Sequence, residues 1–499
     1  MDFFANLALG FGVALSPVNL GLCLIGVLVG TLIGVLPGIG PIATIAMLLP
    51  LTLNLDATGA LIMLAGIYYG AQYGGSTTAI LVNMPGETSS VVTTLDGHQM
   101  ARQGRAGTAL GIAALGSFFA GCVATAVIVL LGPILSQAAL SFGPPEYCAL
   151  MVVGLVAATV LASGSVFKAL AMTFVGLLLG TVGSDIETGA PRLTFDIPQL
   201  AEGIQFTSLA IGLFGIAEII RNIENPEARG VLGTKIGGLL PTLADIKQSI
   251  KPVLRGTVLG SILGILPGNG AVLSPYASYT LEKKLAKDPS RFGRGAIEGV
   301  AGPESANNAG AQTSFIPLLT LGIPPNAVMA MMVGAMTIQG VIPGPQVMTK
   351  SPELFWGMIV SMLIGNAMLV IINLPLIGLW VKLLSVPYRL LFPAILLFCC
   401  IGVYSVNNSY VDVLLVAVFG LVGYVLAKLD FEPAPLLLAF VLGPLLEEKL
   451  RQSFLISRGD PMIFVTRPIS LVLLLIAAAL LLIMILPSVR STREEAFHG

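Results

Sequence analysis

The residues best suited to bind a ligand are hydroxyls and amides in two stretches of the chain. We predict that they line a substrate site, and they are Ser76, Thr77, Thr78, Asn83, Ser305, Asn307, Asn308, Thr313 and Ser314. Such groups are costly away from water unless they face a partner, a ligand or water itself. Close packing of helices through Gly, Ser and Thr is the alternative for either stretch taken alone.

Neither stretch contains a basic residue, since none lies between Asp56 and Arg102 or between Arg294 and Lys350. A bound anion would therefore depend on helix dipoles, backbone N–H groups and co-bound cations. We expect a helix to begin near Ser76 or Thr77, with a hydroxyl cap and free N–H groups that suit a carboxylate.

Few acidic residues lie near these stretches. Glu304 directly precedes the second polar set, so it is the first candidate for a cation ligand or proton carrier. The alternative is an ordinary helix N-terminal acid favoured by the dipole. We interpret Glu87 and Asp96 as solvated or loop-fixing residues. The chain has two histidines, which disfavours a buried histidine proton relay.

The sequence contains no hydrolase or ATPase pattern. It lacks H-E-x-x-H and the Walker-type G-x-x-x-x-G-K-[ST], and Gly183-Ser184-Asp185 is not a nucleophile elbow. We therefore predict that the protein is not an enzyme and uses no cofactor. Its five cysteines lie in or beside apolar tracts and are interpreted as small hydrophobes.

One phrase occurs in both halves of the chain and must position the polar sets. Residues 34–40 read G-V-L-P-G-I-G and residues 264–270 read G-I-L-P-G-N-G, which is 230 residues later. Pro and Gly inside an apolar run predict a broken helix whose unwound backbone lines a cavity. We expect backbone N–H groups around Gly38, Gly40, Gly268 and Gly270 to help bind an anion or cation. A Na⁺ ion would lie near Gly38, Gly268 and Asn307.

Composition sets the environment of these segments. Of 499 residues, 55% are hydrophobic and 10% are charged, and mean hydropathy is +0.93, whereas soluble domains carry about 25% charged residues. The chain is therefore predicted to be a polytopic membrane protein. Its net charge of −1 gives no reason to expect a nucleic-acid partner.

We predict an all-α fold of two inverted repeats, with about 10 to 12 transmembrane helices, broken helices and two re-entrant hairpins. Repeat 1 spans 1–225, with its break at 34–40 and a hairpin at 74–87. A linker at 226–252 precedes repeat 2 at 253–499, with its break at 264–270 and a hairpin at 304–326. Basic residues in 221–255 and 283–294 predict that both loops are cytoplasmic.

Several long phrases resemble the large membrane subunit of tripartite tricarboxylate transporters. They read Y-Y-G-A-Q-Y-G-G-S-T-T-A-I-L-V-N-M-P-G-E (68–87), L-D-G-H-Q-M-A-R-Q-G-R-A-G (95–107), G-P-E-S-A-N-N-A-G (302–310) and L-G-P-L-L-E-E-K-L-R-Q-S (442–453). The resemblance implies a bacterial inner-membrane permease that works with a small four-helix membrane subunit and a periplasmic solute-binding protein. It also implies ion-driven uptake of carboxylates such as citrate. Likeness to elevator-type carriers is an analogy at the level of fold.

Ion coupling is also favoured by electrostatics. Moving one charge across 100 mV costs about 2.3 kcal/mol, so a trianion entering an interior-negative cell needs cations, Na⁺ or H⁺, to travel with it. Three alternatives stay open: a carrier that acts without a binding protein, a channel, and a structural membrane subunit. A channel would need a continuous polar or charged pore, which the charge-poor tracts disfavour.

Overall fold

The computed structural model describes residues 3–36, 40–162, 165–185, 187–224, 238–267, 270–384 and 388–485. Within these ranges the fold is almost wholly helical. Its β structure is one short antiparallel pair, β1 (Gly183–Ser184) and β2 (Pro191–Arg192). The all-α prediction is confirmed.

The described residues of the first half form ten α-helices, which are α1 (Phe3–Ala14), α2 (Pro17–Val35), α3 (Pro41–Leu48), α4 (Ala57–Val82), α5 (Val91–Thr93), α6 (Ala106–Ala139), α7 (Pro144–Leu161), α8 (Val166–Gly180), α9 (Phe206–Ala210) and α10 (Ala217–Glu224). Short 3₁₀ or π segments join them at Leu49–Asn54, Thr88–Ser90, Thr94–His98, Ala101–Arg105, Pro198–Glu202 and Ile211–Ile216.

The second half continues with α11 (Leu243–Ile265), α12 (Gly270–Leu285), α13 (Glu298–Thr313), α14 (Phe315–Leu321), α15 (Ala327–Ile338), α16 (Gln346–Lys350), α17 (Pro352–Asn373), α18 (Ile377–Leu384), α19 (Tyr388–Asn407), α20 (Tyr410–Lys428), α21 (Ala434–Ile456), α22 (Ile463–Thr466) and α23 (Pro468–Ile485). A 3₁₀ turn at Pro289–Arg291 lies between α12 and α13.

Five helical stretches in the described part of the chain are long and apolar enough to cross a membrane: Pro17–Val35, Ala101–Ala139, Phe206–Glu224, Pro352–Asn373 and Tyr410–Lys428. Shorter apolar helices accompany them, including Val166–Gly180 and Pro468–Leu482. The chain is therefore a polytopic membrane protein, as predicted. The figure of 10 to 12 crossings stays a prediction.

Two pairs of helices pack closely through glycines spaced four residues apart. A Cβ on Gly34 would lie 2.4 Å from the Ala71 carbonyl oxygen, and one on Gly264 would lie 2.3 Å from that of Gly310. The successive contacts are Gly26 with Met63, Gly30 with Ile67, Gly34 with Ala71, Gly256 with Gly302, Gly260 with Ala306 and Gly264 with Gly310. In each pair the residue numbers of the two helices increase in the same direction along the contact. Therefore α2 runs parallel to α4, and α11 runs parallel to α13.

The helices α4 and α13 cross in the core in opposite directions. The ring of Tyr68 on α4 has its centroid 6.4 Å from that of Phe315, which lies two residues beyond the end of α13, while Ser76 of α4 is hydrogen-bonded to Glu304 of α13. Residue numbers rise on one helix as they fall on the other, so the two helices are antiparallel. Most residues of both helices are buried inside the protein.

Two local predictions for these helices are wrong. α4 is continuous from Ala57 to Val82, so no helix begins at Ser76 or Thr77. Gly74 does not break it, because this glycine packs against the Thr31 carbonyl of α2, where a Cβ would lie 2.4 Å away. α13 begins at Glu298, which places Glu304 in its second turn and excludes the reading of that residue as a helix N-terminal acid.

The twin phrases fall between helices. α2 ends at Val35 and α3 begins at Pro41, with Gly40 as its N-cap, whereas Gly270 is the first residue of α12. Gly38 and Gly268 lie outside the described residues, and so does the part of the predicted linker at 226–237. The rest of that linker is not a loop throughout, because α11 already begins at Leu243.

Loops from both halves meet at one end of the molecule, which we call the basic end. Arg105 is paired with Asp245 at 2.9 Å, and Gln103 donates to the Arg294 carbonyl at 2.8 Å. Asp96 belongs to this junction and is fully buried, which corrects its interpretation as solvated and supports the loop-fixing one. Its carboxylate accepts hydrogen bonds from the backbone N–H groups of Gly293, Gly295 and Ala296 and from the Tyr279 hydroxyl.

Candidate functional site

A narrow cleft, with a volume of about 20 Å³ for water-sized groups, lies between α4, α6, α13 and the end of α17. Its polar lining comes from Tyr73, Ser76, Thr77, Ser117, Glu304 and Asn373. Leu110, Ala113, Ala114, Leu239, Leu374 and Ile377 supply the apolar remainder. The cleft therefore combines polar groups from both halves of the chain, and its described lining contains no basic side chain.

Glu304 is the single acidic group among the residues that line this cleft, and it is 1% exposed. One carboxylate oxygen accepts a hydrogen bond from Ser76 Oγ at 2.5 Å, and the other accepts one from Thr93 Oγ1. Both hydroxyls come from the first half, while the carboxylate comes from the second. Hydrogen bonds to a charged group each contribute about 1.5–3 kcal/mol, which offsets part of the cost of burying it.

A second carboxylate lies beside this one. Glu87 Oε1 is 2.6 Å from Ser89 Oγ, which is also 3.1 Å from Gln72 Oε1. Asn307 Nδ2 is 3.5 Å from the same Glu87 oxygen, which is longer than a normal hydrogen bond, so this contact is weak. Glu87 is half-buried and held by polar partners, which corrects its reading as a freely solvated residue.

The predicted site residues face different parts of the structure, and only some of them line the cleft. Ser76 and Thr77 line the cleft with Glu304. Thr78 turns to the end of α2, where its hydroxyl donates to the Val35 carbonyl at 2.9 Å. Asn308 donates to Ser117 Oγ at 2.7 Å and so faces α6.

The remaining predicted residues point elsewhere. Asn83 ends α4 in a left-handed conformation, with φ 60°, and is exposed. Ser305, Thr313 and Ser314 donate to the carbonyls of Ala301, Ala309 and Ala311 on their own helix. Ser314 and Asn326 lie beside Tyr68, away from the cleft lining.

Sequence reasoning missed Tyr73, Thr93, Ser117 and Asn373. Thr93 belongs to a short helix after the turn at 83–87, and Asn373 is the last residue of the apolar helix α17. Neither has a local pattern that marks it. A signal existed for Ser117, because polar residues recur every four positions on the helix that it faces.

Outside the candidate spans, the turn around β1 carries a network of ion pairs. Asp185 Oδ2 lies 2.7 Å from Arg451 and 3.4 Å from Arg192. The backbone N–H of Thr188, followed by the Arg451 guanidinium, holds the pKa of the Asp185 carboxyl well below its usual range. This network ties the loop to the end of α21.

The cleft offers hydroxyl donors, one carboxylate and the oxygen of an amide. Among the described residues, no group of three or more His, Cys, Asp or Glu side chains is placed to hold a metal ion. The arrangement suits recognition of a small polar solute, and Glu304 supplies the one carboxylate of the described lining.

Comparison with known proteins gives a family and two relatives. A family model described as the tripartite tricarboxylate transporter TctA family matches residues 20–438. The "Uncharacterized 52.8 kDa protein in TAR-I ttuC' 3'region" of Agrobacterium vitis is 60% identical over 497 residues, which cover 100% of this chain and 99% of the relative. The "Uncharacterized protein in TAR-II ttuC' 3'region" of the same organism is 62% identical over 238 residues, 48% of this chain and 98% of the relative. No solved structure matches the chain.

Proposed function

We propose that this chain, which belongs to the tripartite tricarboxylate transporter TctA family, is the permease that binds the substrate in its cleft. Membership of the family makes it a component of a tricarboxylate transporter. The substrate would be a tricarboxylate or another carboxylate. It would lie beside Ser76 and Thr77 on one wall of the cleft, close to Glu304.

The observation that carries this proposal is the position of Glu304. Two unit charges 4 Å apart repel each other by about 4 kcal/mol at an effective dielectric constant of 20. An ionised Glu304 would therefore oppose a carboxylate in the same cleft, and no basic side chain of the described lining offsets it. Binding of H⁺ or Na⁺ at Glu304 removes this repulsion, so cation and substrate bind together, which is the requirement for ion-driven symport.

Alternating access would follow from two inverted repeats. The parallel pairs α2 with α4 and α11 with α13 support this proposal, because α4 and α13 are themselves antiparallel. Movement of one unit relative to the other would expose the cleft to each side in turn. An elevator-like movement stays an analogy. Binding of an ion by backbone around Gly38 and Gly268 is likewise a proposal.

The partners are carried over from the family resemblance. We propose a small four-helix membrane subunit and a periplasmic solute-binding protein that delivers the carboxylate, with the permease spanning the bacterial inner membrane. The word "tripartite" in the family description supports the need for other subunits. The basic end would face the cytoplasm, because Lys and Arg are enriched in cytoplasmic loops.

The test is uptake of labelled citrate and other carboxylates into proteoliposomes that contain the chain and its partner proteins, under imposed Na⁺ or H⁺ gradients. Glu304→Gln should abolish gradient-driven accumulation while substrate exchange continues, because the neutral amide cannot take up the cation. Glu298→Gln is the matched control on the same helix; Glu298 is bonded to Gln248 and Arg291 outside the cleft, and its variant should retain accumulation. Full accumulation by Glu304→Gln would refute the proposed coupling.

The same assay separates the alternatives. A carrier that acts alone would accumulate substrate equally well without the periplasmic protein. A channel would give flux that neither saturates nor responds to the ion gradient beyond the membrane potential.

A further inference from the structure

Polar side chains continue beyond the cleft along two facing helices. On α13, Glu304, Asn308 and Gln312 recur every four residues and so share one face. Asn308 bonds to Ser117 of α6, and Gln312 Oε1 accepts from Thr125 Oγ1 at 2.6 Å. The stripe begins at the cleft and continues two turns deeper, about 12 Å at 1.5 Å per residue.

A third helix contributes an amide to the same line. Asn366 of α17 is fully buried against Gly121, which lies between Ser117 and Thr125 on α6. A Cβ on Gly121 would lie 2.6 Å from Asn366 Nδ2, so the glycine leaves the space that the amide occupies. Asn373 stands two turns along the same helix and lines the cleft.

These deeper groups have hydrogen-bonding atoms without partners in the described part of the protein. The atoms are both polar side-chain atoms of Asn366, Gln312 Nε2 and the Tyr73 hydroxyl. All three residues are at least 96% buried. An amide or hydroxyl buried without a partner costs about 1–3 kcal/mol, and such groups inside membranes mark substrate or ion pathways.

The chemistry of the unpaired atoms indicates what they bind. Two side-chain amide nitrogens and one hydroxyl are available as donors, and the residues of α6 that Asn366 and Gln312 contact, Gly121 and Thr125, are uncharged. A surplus of N–H and O–H donors suits an acceptor, and a carboxylate accepts several such bonds at once. Tyr73 itself lines the cleft.

We propose that Asn366 and the Nε2 group of Gln312 form a second carboxylate-binding position, one helical turn or about 6 Å deeper than Ser117 along α6. It rests on the proposed function and extends it: a polycarboxylate places one carboxylate by Ser76 and Thr77 and another on the buried amides. The spacing of the two positions selects substrates with more than one carboxylate.

The test is the KM for uptake of labelled citrate or succinate, whichever the wild type accumulates, in the proteoliposomes described above. Asn366→Leu and Gln312→Met keep the side-chain volume and remove the donors. Each should raise the KM about tenfold, the loss expected for one hydrogen bond to a charged group. Ser136→Ala is the control, because it removes another unpaired buried hydroxyl from α6, at a distance from this position; its KM should not change.

Thermal unfolding of the same variants separates binding from folding. Asn366→Leu replaces a fully unpaired buried amide by an apolar side chain of similar size and should leave the unfolding temperature unchanged or raise it, whereas Gln312→Met also removes the acceptor of the Thr125 hydroxyl and should lower it slightly. Gly121→Ala, which displaces the Asn366 amide, should reproduce the rise in KM. If the wild type transports citrate or succinate and all three variants keep its KM, the position holds only water and the inference is wrong. Failure of the wild type to transport any carboxylate would instead refute the proposed function.

Discussion

The two sides of the α4–α13 crossing share a backbone plan but differ in polarity. Residues 239 positions apart take matching places: Asn83 ends α4 with φ 60°, and Gly322 ends α14 with φ 74°. On one side the core contains a carboxylate and two hydroxyls, whereas the counterparts 239 positions away are apolar. The pairs are Glu304 and Ala65, Ser76 and Phe315, and Thr93 and Met332.

A second pair of contacts is related by the same shift of 239 positions in the sequence. Asn307 lies beside Glu87 on the polar side, and the matching residues Tyr68 and Asn326 lie beside each other on the apolar side. The geometry is repeated, but only the polar side places a carboxyl group at both Glu304 and Glu87. The backbone plan common to the two sides therefore serves helix packing, whereas the buried carboxyl groups belong to one side only.

The largest expected effect tests what the two sides share. Gly34→Ala and Gly264→Ala each place a methyl group within 2.4 Å of a carbonyl oxygen on the neighbouring helix. Each should destabilise the protein by about 3 kcal/mol, because overpacking forces the helices apart. Thermal unfolding in detergent measures the loss, and Gly21→Ala is the control, since no atom lies within 4 Å of its added Cβ. Unequal losses of stability in the two variants would show that the two helix pairs are not equivalent in packing.

The next effect concerns a set of hydrogen bonds to Asp96 that has no equivalent at the matching residue of the other side. Asp96 holds three backbone N–H groups of the loop 293–296, whereas its counterpart Ala335 is a buried apolar residue. Asp96→Asn should destabilise the protein by about 2 kcal/mol, because the amide is a weaker acceptor than the carboxylate. Chemical or thermal unfolding measures this change. A variant as stable as the wild type would show that the loop is held by other contacts.

A smaller effect compares hydroxyls on the two sides. Thr77 lines the cleft, while Thr320 is buried on the other side; each donates to its own helix, to Tyr73 and Ile316 respectively. Thr77→Val should lower carboxylate uptake about tenfold through loss of one hydrogen bond to a charged substrate. Thr320→Val should retain uptake with a similar change in stability. Equal uptake by the two variants would remove Thr77 from the site.

The smallest effect lies outside the spans and concerns a carboxylate held in ion pairs, Asp185. The pKa of Asp185 is lowered by the Thr188 N–H and by Arg451, so its stabilising contribution is present above its unfolded pKa of about 3.9 and is lost as pH falls through the folded pKa. Asp185→Asn should lower the unfolding temperature equally at pH 8 and pH 5.5. The difference from wild type should shrink below about pH 4. A difference that widens with acidification would contradict this sign.

The sequence predicted the elements better than the contacts. Apolar length and the absence of charge predicted a helical membrane protein, and the twin phrases do fall between helices, α2 and α3 in one case and α11 and α12 in the other. It misplaced a helix start at Ser76, because a Gly-Gly pair predicts a break when viewed locally. In the fold, Gly74 is required by the close approach of α2, and the helix continues.

By itself, the sequence determined two stretches rich in hydroxyls and amides, neither of which contains Lys or Arg. It named Ser76, Thr77 and Glu304, and the structure places these three on one cleft. Only the tertiary structure decided that Ser76 meets Glu304 across 228 positions, and that Ser305, Thr313 and Ser314 turn back to their own helices. Periodicity is encoded within a few turns of helix, whereas the antiparallel crossing of α4 and α13 depends on packing between distant segments.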